Sequence, residues 1–205
     1  MVRTQIADRG IRDLRVLAAM REVPRHEFVF ESLQGDAYED HPLPIGAGQT
    51  ISQPYIVAVM LQHLDLQATD RILEVGTGSG YVAALLSRMC AEVYSMERHP
   101  QLAGSAESTL RQLGYSNVKI TVGDGTQGWP EYAPYDAILV SAATAEMPPA
   151  LFAQLREGGR MIVPVGSFVS QELQLIRKVD GQAEVQAQEG CRFVPLVEGA
   201  VENGP

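Results

Sequence analysis

Apolar residues recur at helical spacing over residues 11–20, where Ile11, Leu14, Leu17 and Ala18 line one face, and Val23-Pro24 then breaks the pattern. The spacing predicts an amphipathic helix. The stretch 25–50 carries Pro42, Pro44, Gly46 and Gly48, is too irregular for a helix or a strand, and reads as a long functional loop. Ser52-Gln53-Pro54 is a helix-start signal, with Pro54 suited to the first turn, and the apolar residues after it run to Leu66.

After Asp70 the rhythm changes. Residues 71–75 form an apolar run, a glycine-rich turn follows, residues 81–89 suit a helix, and residues 91–97 form a second run. In such a strand-helix-strand unit the crossover makes the two strands parallel and adjacent. A helix over 100–113 stopped by Gly114, a strand over 118–122 and a strand over 135–140 continue the alternation. A helix over 149–155 ends at Gly158-Gly159, and 160–165 is another short apolar strand. Residues 172–179 and 183–188 then flank Asp180-Gly181, a strong hairpin signal. This order predicts an α/β fold: a doubly wound, mostly parallel sheet with antiparallel C-terminal strands and an N-terminal helical extension.

Composition narrows the partners. A chain of 205 residues with 45% apolar residues can bury a full core, and its length fits one domain or one with a small appendage. A formal net charge of −9 repels phosphate backbones and anionic lipid, so neither nucleic acid nor a membrane surface is an expected partner. No apolar stretch approaches the roughly 20 residues of a spanning helix, and the opening MVRTQIADRG leads into no secretory apolar region. Cys90 and Cys191 stand far apart in no ligand spacing, which fits two buried thiols in a reducing cytoplasm and no metal site. His26, His41, His63 and His99 are scattered and read as surface or structural residues.

The densest chemical signal is Glu74-Val75-Gly76-Thr77-Gly78-Ser79-Gly80, at the end of the strand over 71–75. Glycines there permit a tight turn and close backbone approach to a ligand at the carboxyl edge of the sheet. The spacing is GxGxG, whereas the dinucleotide fingerprint is GxGxxG and would need glycine where Tyr81 stands. A pyrophosphate needs the helix N-terminus open to it, but S-adenosylmethionine carries an amino acid and no phosphate. The next strand ends in Glu97, suited to grip ribose hydroxyls, and the third ends in Gly123-Asp124-Gly125, whose carboxylate can accept from an adenine amino group. Each feature also has a plainer explanation, as a tight connection, a solvated strand end or an ordinary turn. Their order after three successive strands points to a cofactor site for S-adenosylmethionine.

Four blocks of sequence carry a further likeness. They are Val23-Pro24-Arg25 with Phe28, Leu43-Pro44-Ile45-Gly46 running into Gly48-Gln49-Thr50-Ile51-Ser52-Gln53-Pro54, the glycine loop within 72–81, and Arg192-Phe193-Val194-Pro195-Leu196. On these blocks, over nearly its whole length, the chain resembles the protein-L-isoaspartate (D-aspartate) O-methyltransferase family of class I methyltransferases. General class I methyltransferases share the glycine loop; the GQTISQP and RFVPL segments are the family's own marks.

The resemblance implies an enzyme that uses S-adenosylmethionine to methylate the free α-carboxylate of L-isoaspartyl residues in damaged proteins and thereby starts their repair through a succinimide. It implies a cofactor site of Thr50, Ile51, Glu74, Gly76, Thr77, Gly78, Gly80, Tyr81, Glu97, Arg98, Asp124 and Gly125. It makes Ser52 the catalytic residue that orients the attacking oxygen, although Thr50 and Ser52 also read as helix-capping hydroxyls. Backbone around Ser141, Ala142 and Ala143, together with Val165 and Gly166, would line a substrate groove. Arg192, Phe193, Val194, Pro195 and Leu196 would form its other wall. Thr144 departs from the family pattern, which has a proline after the paired alanines.

The resemblance further implies a substrate-covering extension over 1–66 packed as one unit with a cofactor-binding core over 67–205, in a cytoplasmic monomer without metal. The competing readings are a methyltransferase for a small molecule or RNA, one dedicated to a single peptide, and a non-catalytic S-adenosylmethionine-binding module. The acidic charge counts against RNA. The small spare length counts against the dedicated enzyme, and the intact GQTISQP and RFVPL blocks against the inert module.

Overall fold

The N-terminal amphipathic repeat forms helix α1 (Leu14–Glu22), which starts later than the spacing suggests because Asp13 caps it, its carboxylate accepting from the Arg15 N–H at 2.8 Å. The structure is a computed structural model that describes residues 1–167 and 169–201; position 168 and the last four positions of the expected core, 202–205, lie outside it. Helix α2 (Pro54–Leu64) carries Pro54 in its first turn and ends at Asp65, which takes a left-handed φ of 45°.

Between the two helices the expectation of an irregular loop is corrected. Two short helical turns (Arg25–Phe28 and Glu31–Asp36) lead into an antiparallel hairpin of β1 (Leu43–Gly46) and β2 (Gln49–Ile51). Its tip, Gly46-Ala47-Gly48, has positive φ throughout, which explains the flanking glycines. Strands of four and three residues are too short to show alternation, and Pro44 hides the first of them.

The α/β part forms as the alternation predicts. Its elements are β3 (Arg71–Val75), α3 (Tyr81–Ser87), β4 (Glu92–Glu97), α4 (Pro100–Gln112), β5 (Val118–Val122), β6 (Tyr135–Val140), α5 (Pro149–Ala153), β7 (Leu155–Gly166), β8 (Gln171–Val179) and β9 (Gln182–Cys191). The sheet order is β5-β4-β3-β6-β7-β8-β9, parallel through β7 and antiparallel beyond it. The chain winds outward from β3 through β4 to β5 and then returns to β6 on the other side of β3. Strand order therefore reverses beside β3, the position where open α/β sheets hold their ligands.

Strand β7 begins at Leu155 and absorbs the Gly158-Gly159 pair that reads in sequence as a helix end. Asp180 and Gly181 turn the β8–β9 hairpin with φ of 51° and 73°, as the dipeptide predicts.

Alternation along the strands divides the buried side chains between two cores. Ile72, Ala137, Leu139 and Ile162 face a layer that includes α2 and α3, whereas Leu73, Val75, Ile138, Val140 and Val163 face the other, with Tyr94 and Tyr135. Helix α2 packs on β6 and β7, so it shares the main core with the sheet. A buried ion pair fastens this junction: Arg160 on β7 meets Asp70 at 2.5 Å and also donates to the Leu64 carbonyl at the end of α2. Among the described residues no helix is long and apolar enough to cross a membrane.

Candidate active site

The ends of β3, β4 and β6 come together at the carboxyl edge of the sheet, around a central cavity of about 230 Å³. The glycine turn after β3 forms one wall. Gly76 and Gly78 need their positive φ of 97° and 54°, and Gly76 N–H donates to the Met96 carbonyl at 2.8 Å, which locks the turn onto β4. Gly80 has a different role: a Cβ there would lie 3.2 Å from Ala106 and Leu110, so it admits close packing of α3 against α4 and does not face the cavity.

Glu97 lies against this turn, only 5% exposed, and its two carboxylate oxygens accept from Gly78 N–H at 2.8 Å and His99 N–H at 3.0 Å. Glu74 sits beneath the turn and is fully buried. Its carboxyl accepts from Ser95 Oγ at 2.5 Å, and Ser95 in turn contacts Thr77 Oγ1 at 2.6 Å. Glu74 therefore supports the wall from below without lining it. Asp124 is not among the residues that line the cavity either. Burial disfavours its charge, but the Thr126 hydroxyl and the Gly199 and Thr126 N–H groups outweigh burial and hold the carboxyl below its usual range. Gly125 lines the cavity, and Thr50, Ile51, Thr77, Tyr81 and Arg98 do so as well.

A second space, a groove of about 450 Å³, runs beside the cavity between α2 and the segment that follows β9. Ser52, Arg192, Phe193, Val194 and Pro195 line it, with Pro42 and Ile56 opposite. The capping expectation for Thr50 and Ser52 is corrected here. Asp40 serves the start of α2, accepting from Tyr55 N–H at 3.1 Å and from the Gln53 side chain at 2.8 Å. Among the described residues, the Ser52 hydroxyl has no hydrogen-bond partner.

The segment 192–196 is held firmly. Gln171 exchanges two hydrogen bonds with the Phe193 backbone at 2.7 and 3.1 Å. Ala143 N–H donates to Val194 O at 2.8 Å, and Leu196 N–H donates to Ala143 O at 2.7 Å. Both backbone groups of Ala143 are thus committed within the chain. The Gly166 N–H donates to Thr144 O at 2.8 Å, and Thr144 N–H donates to Pro164 O at 2.9 Å, a bond that proline at 144 would forfeit. Ala143, Gly166 and Leu196 border a separate recess beyond the segment, Ala142 borders the central cavity, and Val165 pairs with Thr144.

A sequence profile described as Protein-L-isoaspartate(D-aspartate) O-methyltransferase matches residues 1–201. The chain belongs to this family. A family member from Syntrophobacter fumaroxidans, protein-L-isoaspartate O-methyltransferase 1, is 55% identical over 96% of this chain and 92% of its own. A solved protein-L-isoaspartate O-methyltransferase superposes with a TM-score of 0.86 at 32% identity, over 95% of this chain and 65% of that longer one. A solved structure from Plasmodium falciparum, assigned to the same enzyme and in complex with S-adenosyl-L-homocysteine, gives 0.82 at 29% identity, over 93% of this chain and 94% of its own.

The isoaspartyl methyltransferase family marks in this sequence fall around the cavity and groove, but several lining residues escape sequence reasoning. His99, which reads in sequence as a surface or structural residue, lines the central cavity with its Nε2 buried and unpartnered among the described residues. Cys191, which reads in sequence as a buried thiol, lines the groove half-buried. Val197, beyond the RFVPL block, closes the cavity from the C-terminal side. Among the described residues no cluster of three His, Cys, Asp or Glu could hold a metal ion.

Proposed function

We propose that the protein is an S-adenosylmethionine-dependent protein-L-isoaspartate O-methyltransferase. It transfers a methyl group to the free α-carboxylate of L-isoaspartyl residues in damaged polypeptides; the neighbouring backbone nitrogen then attacks the ester, loses its proton and expels methanol, and hydrolysis of the resulting succinimide returns some normal aspartate. The observation that supports this best is a junction. Thr50, Ser52, Ser141, Val194 and Pro195 line both the central cavity and the groove, so a cofactor in one meets a polypeptide in the other at the Ser52 hydroxyl.

The residues of the central cavity fit the cofactor. Tyr81, Arg98 and His99 line the cavity beside the Glu97 carboxylate, and Arg98 Nε and His99 Nε2 are buried without partners among the described residues. Glu97 would hold the ribose hydroxyls, the turn from Gly76 to Gly78 the amino-acid end, and Gly125 the adenine side. When bound, S-adenosylmethionine supplies a methyl group on a sulfonium cation. Ser52 donates a hydrogen bond that orients the acceptor carboxylate, which arrives ionised at neutral pH and needs no general base. The β1–β2 hairpin and the 192–196 segment exclude water, which favours a transfer in which opposite charges cancel.

The groove walls formed by Pro42, Ile56, Phe193 and Pro195 are largely apolar. They suit an acceptor defined by a backbone defect and not by one side chain. In this reading residues 1–66 cover the substrate and the rest forms the cofactor-binding core, in a cytoplasmic monomer that acts on polypeptides and not on nucleic acid or membranes. The test is transfer of radiolabelled methyl to two matched peptides, one with L-isoaspartate and one with aspartate at the same position. Base-labile label on the isoaspartyl peptide alone is expected; equal label on both, or none on either, contradicts the reading.

A further inference from the structure

Arg25 is fully buried, yet no carboxylate lies within ion-pair distance of it among the described residues. Charged side chains are almost never so deeply buried unless paired. Its partners are neutral and come from three separate segments. Nε donates to the Ala37 carbonyl at 2.7 Å, Nη2 donates to the Ser52 carbonyl at 2.8 Å, and the guanidinium lies 4.8 Å over the Tyr81 ring. Burial pulls the guanidinium below its ordinary value, but arginine starts so high that it stays charged at neutral pH.

The three partners differ in what they touch. Tyr81 lines the central cavity, Ser52 lines the cavity and the groove, and Ala37 is fully buried. A planar fork that donates in two fixed directions and stacks on a ring holds three groups in one geometry, which a lysine ammonium cannot do. Core packing alone would be served by an apolar residue of similar length, without the cost of desolvating a charge.

We propose that Arg25 is a positioning residue for methyl transfer: by fixing the Ser52 main chain relative to the Tyr81 ring, it sets the direction from which the Ser52 hydroxyl meets the acceptor. This inference rests on the isoaspartyl methyltransferase reading of the site. Arg25 lines neither the cavity nor the groove and acts through Ser52 and Tyr81, which do.

The test is a double-mutant cycle of Arg25→Lys with Ser52→Ala, with Arg25→Gln in place of the lysine variant should that one fail to fold. Turnover of an isoaspartyl peptide and calorimetric binding of S-adenosylhomocysteine are measured below the unfolding temperature. Arg25→Lys is expected to lower kcat by about 10- to 100-fold, the scale of a misplaced reacting group, with product affinity within about threefold of the parent. In the Ser52→Ala background the same change should cost less than about threefold, because the group it positions is gone. A folded Arg25 variant with parental kcat overturns the proposal, and so does a loss that appears in full in the Ser52→Ala background. A parent protein that does not methylate the peptide overturns the functional reading itself, and the proposal with it.

Discussion

A carboxyl group buried without a counterion, as Glu74 is, stays largely protonated near neutral pH. Desolvation pushes it up to about 8, with the Ser95 hydrogen bond pulling it down and the charge of Glu97 adding to the rise. The folded-state value lies above the unfolded one. Stability from this group is therefore complete below about 4.5, declines as the unfolded chain ionises, and is lost by the time pH passes about 8. Thermal unfolding of Glu74→Gln should show a gain over the parent that grows from about pH 5 to about pH 9; a difference flat across that range contradicts the burial account. Two further substitutions separate the sides of the site. Ser52→Ala should lower kcat by about 10- to 100-fold with S-adenosylhomocysteine affinity nearly unchanged. Glu97→Ala should weaken that affinity by about the same factor, the loss of charge-assisted hydrogen bonds, and unchanged affinity would remove Glu97 from the ribose role. Glu97 was legible in the sequence because a strand end fixes where its side chain emerges. Glu74 was misplaced in the cavity wall because its depth depends on strand alternation, which puts it on the same side as the buried Ile72.

At the scale of elements, the sequence revealed helices and strands long enough to show a period and concealed those that were not. The β1–β2 hairpin falls in the second group, and so does the capping of α2. Asp40 reaches the first turn of α2 from a separate segment and also pairs with Arg9 at 2.5 Å, so no local motif announces it. This leaves the Ser52 hydroxyl free to face the junction of cavity and groove, which a capping role would have prevented. Asp40→Ala should cost about 1–2 kcal/mol in denaturant unfolding through the lost cap. Asp40→Asn, which keeps an acceptor, should cost clearly less, and equal losses in the two variants would show that the ion pair with Arg9 dominates. Four residues of the 192–196 segment, Arg192 to Pro195, line the groove, and Leu196 borders the separate recess. The segment's use of the Ala143 backbone was not legible, because that pairing joins residues about fifty positions apart and has no sequence period.

Over the whole molecule, the switch in strand order beside β3 places the glycine turn, Glu97 and Ser141 at one edge, and the N-terminal segment brings Ser52 over it. The alternation of strands and helices made the sheet legible, and the Asp180-Gly181 turn announced its antiparallel end. The union of α2 with the sheet was hidden, since it depends on Arg160 and Asp70, ninety residues apart. Asp70→Asn leaves the Arg160 charge buried without its counterion and should destabilise the protein by about 3–5 kcal/mol, read as a lowered denaturant midpoint; a loss below about 1 kcal/mol, typical of exposed pairs, contradicts that account. In the proposed function the joined cavity and groove begin the repair of an isomerised backbone. The most direct test follows a purified L-isoaspartyl peptide by chromatography and mass spectrometry during incubation with the protein and S-adenosylmethionine. The isoaspartyl form should decline, its α-methyl ester and then the succinimide should appear, and the normal aspartyl peptide should accumulate. An isoaspartyl peptide that persists unmodified while S-adenosylhomocysteine binds normally would rule this function out.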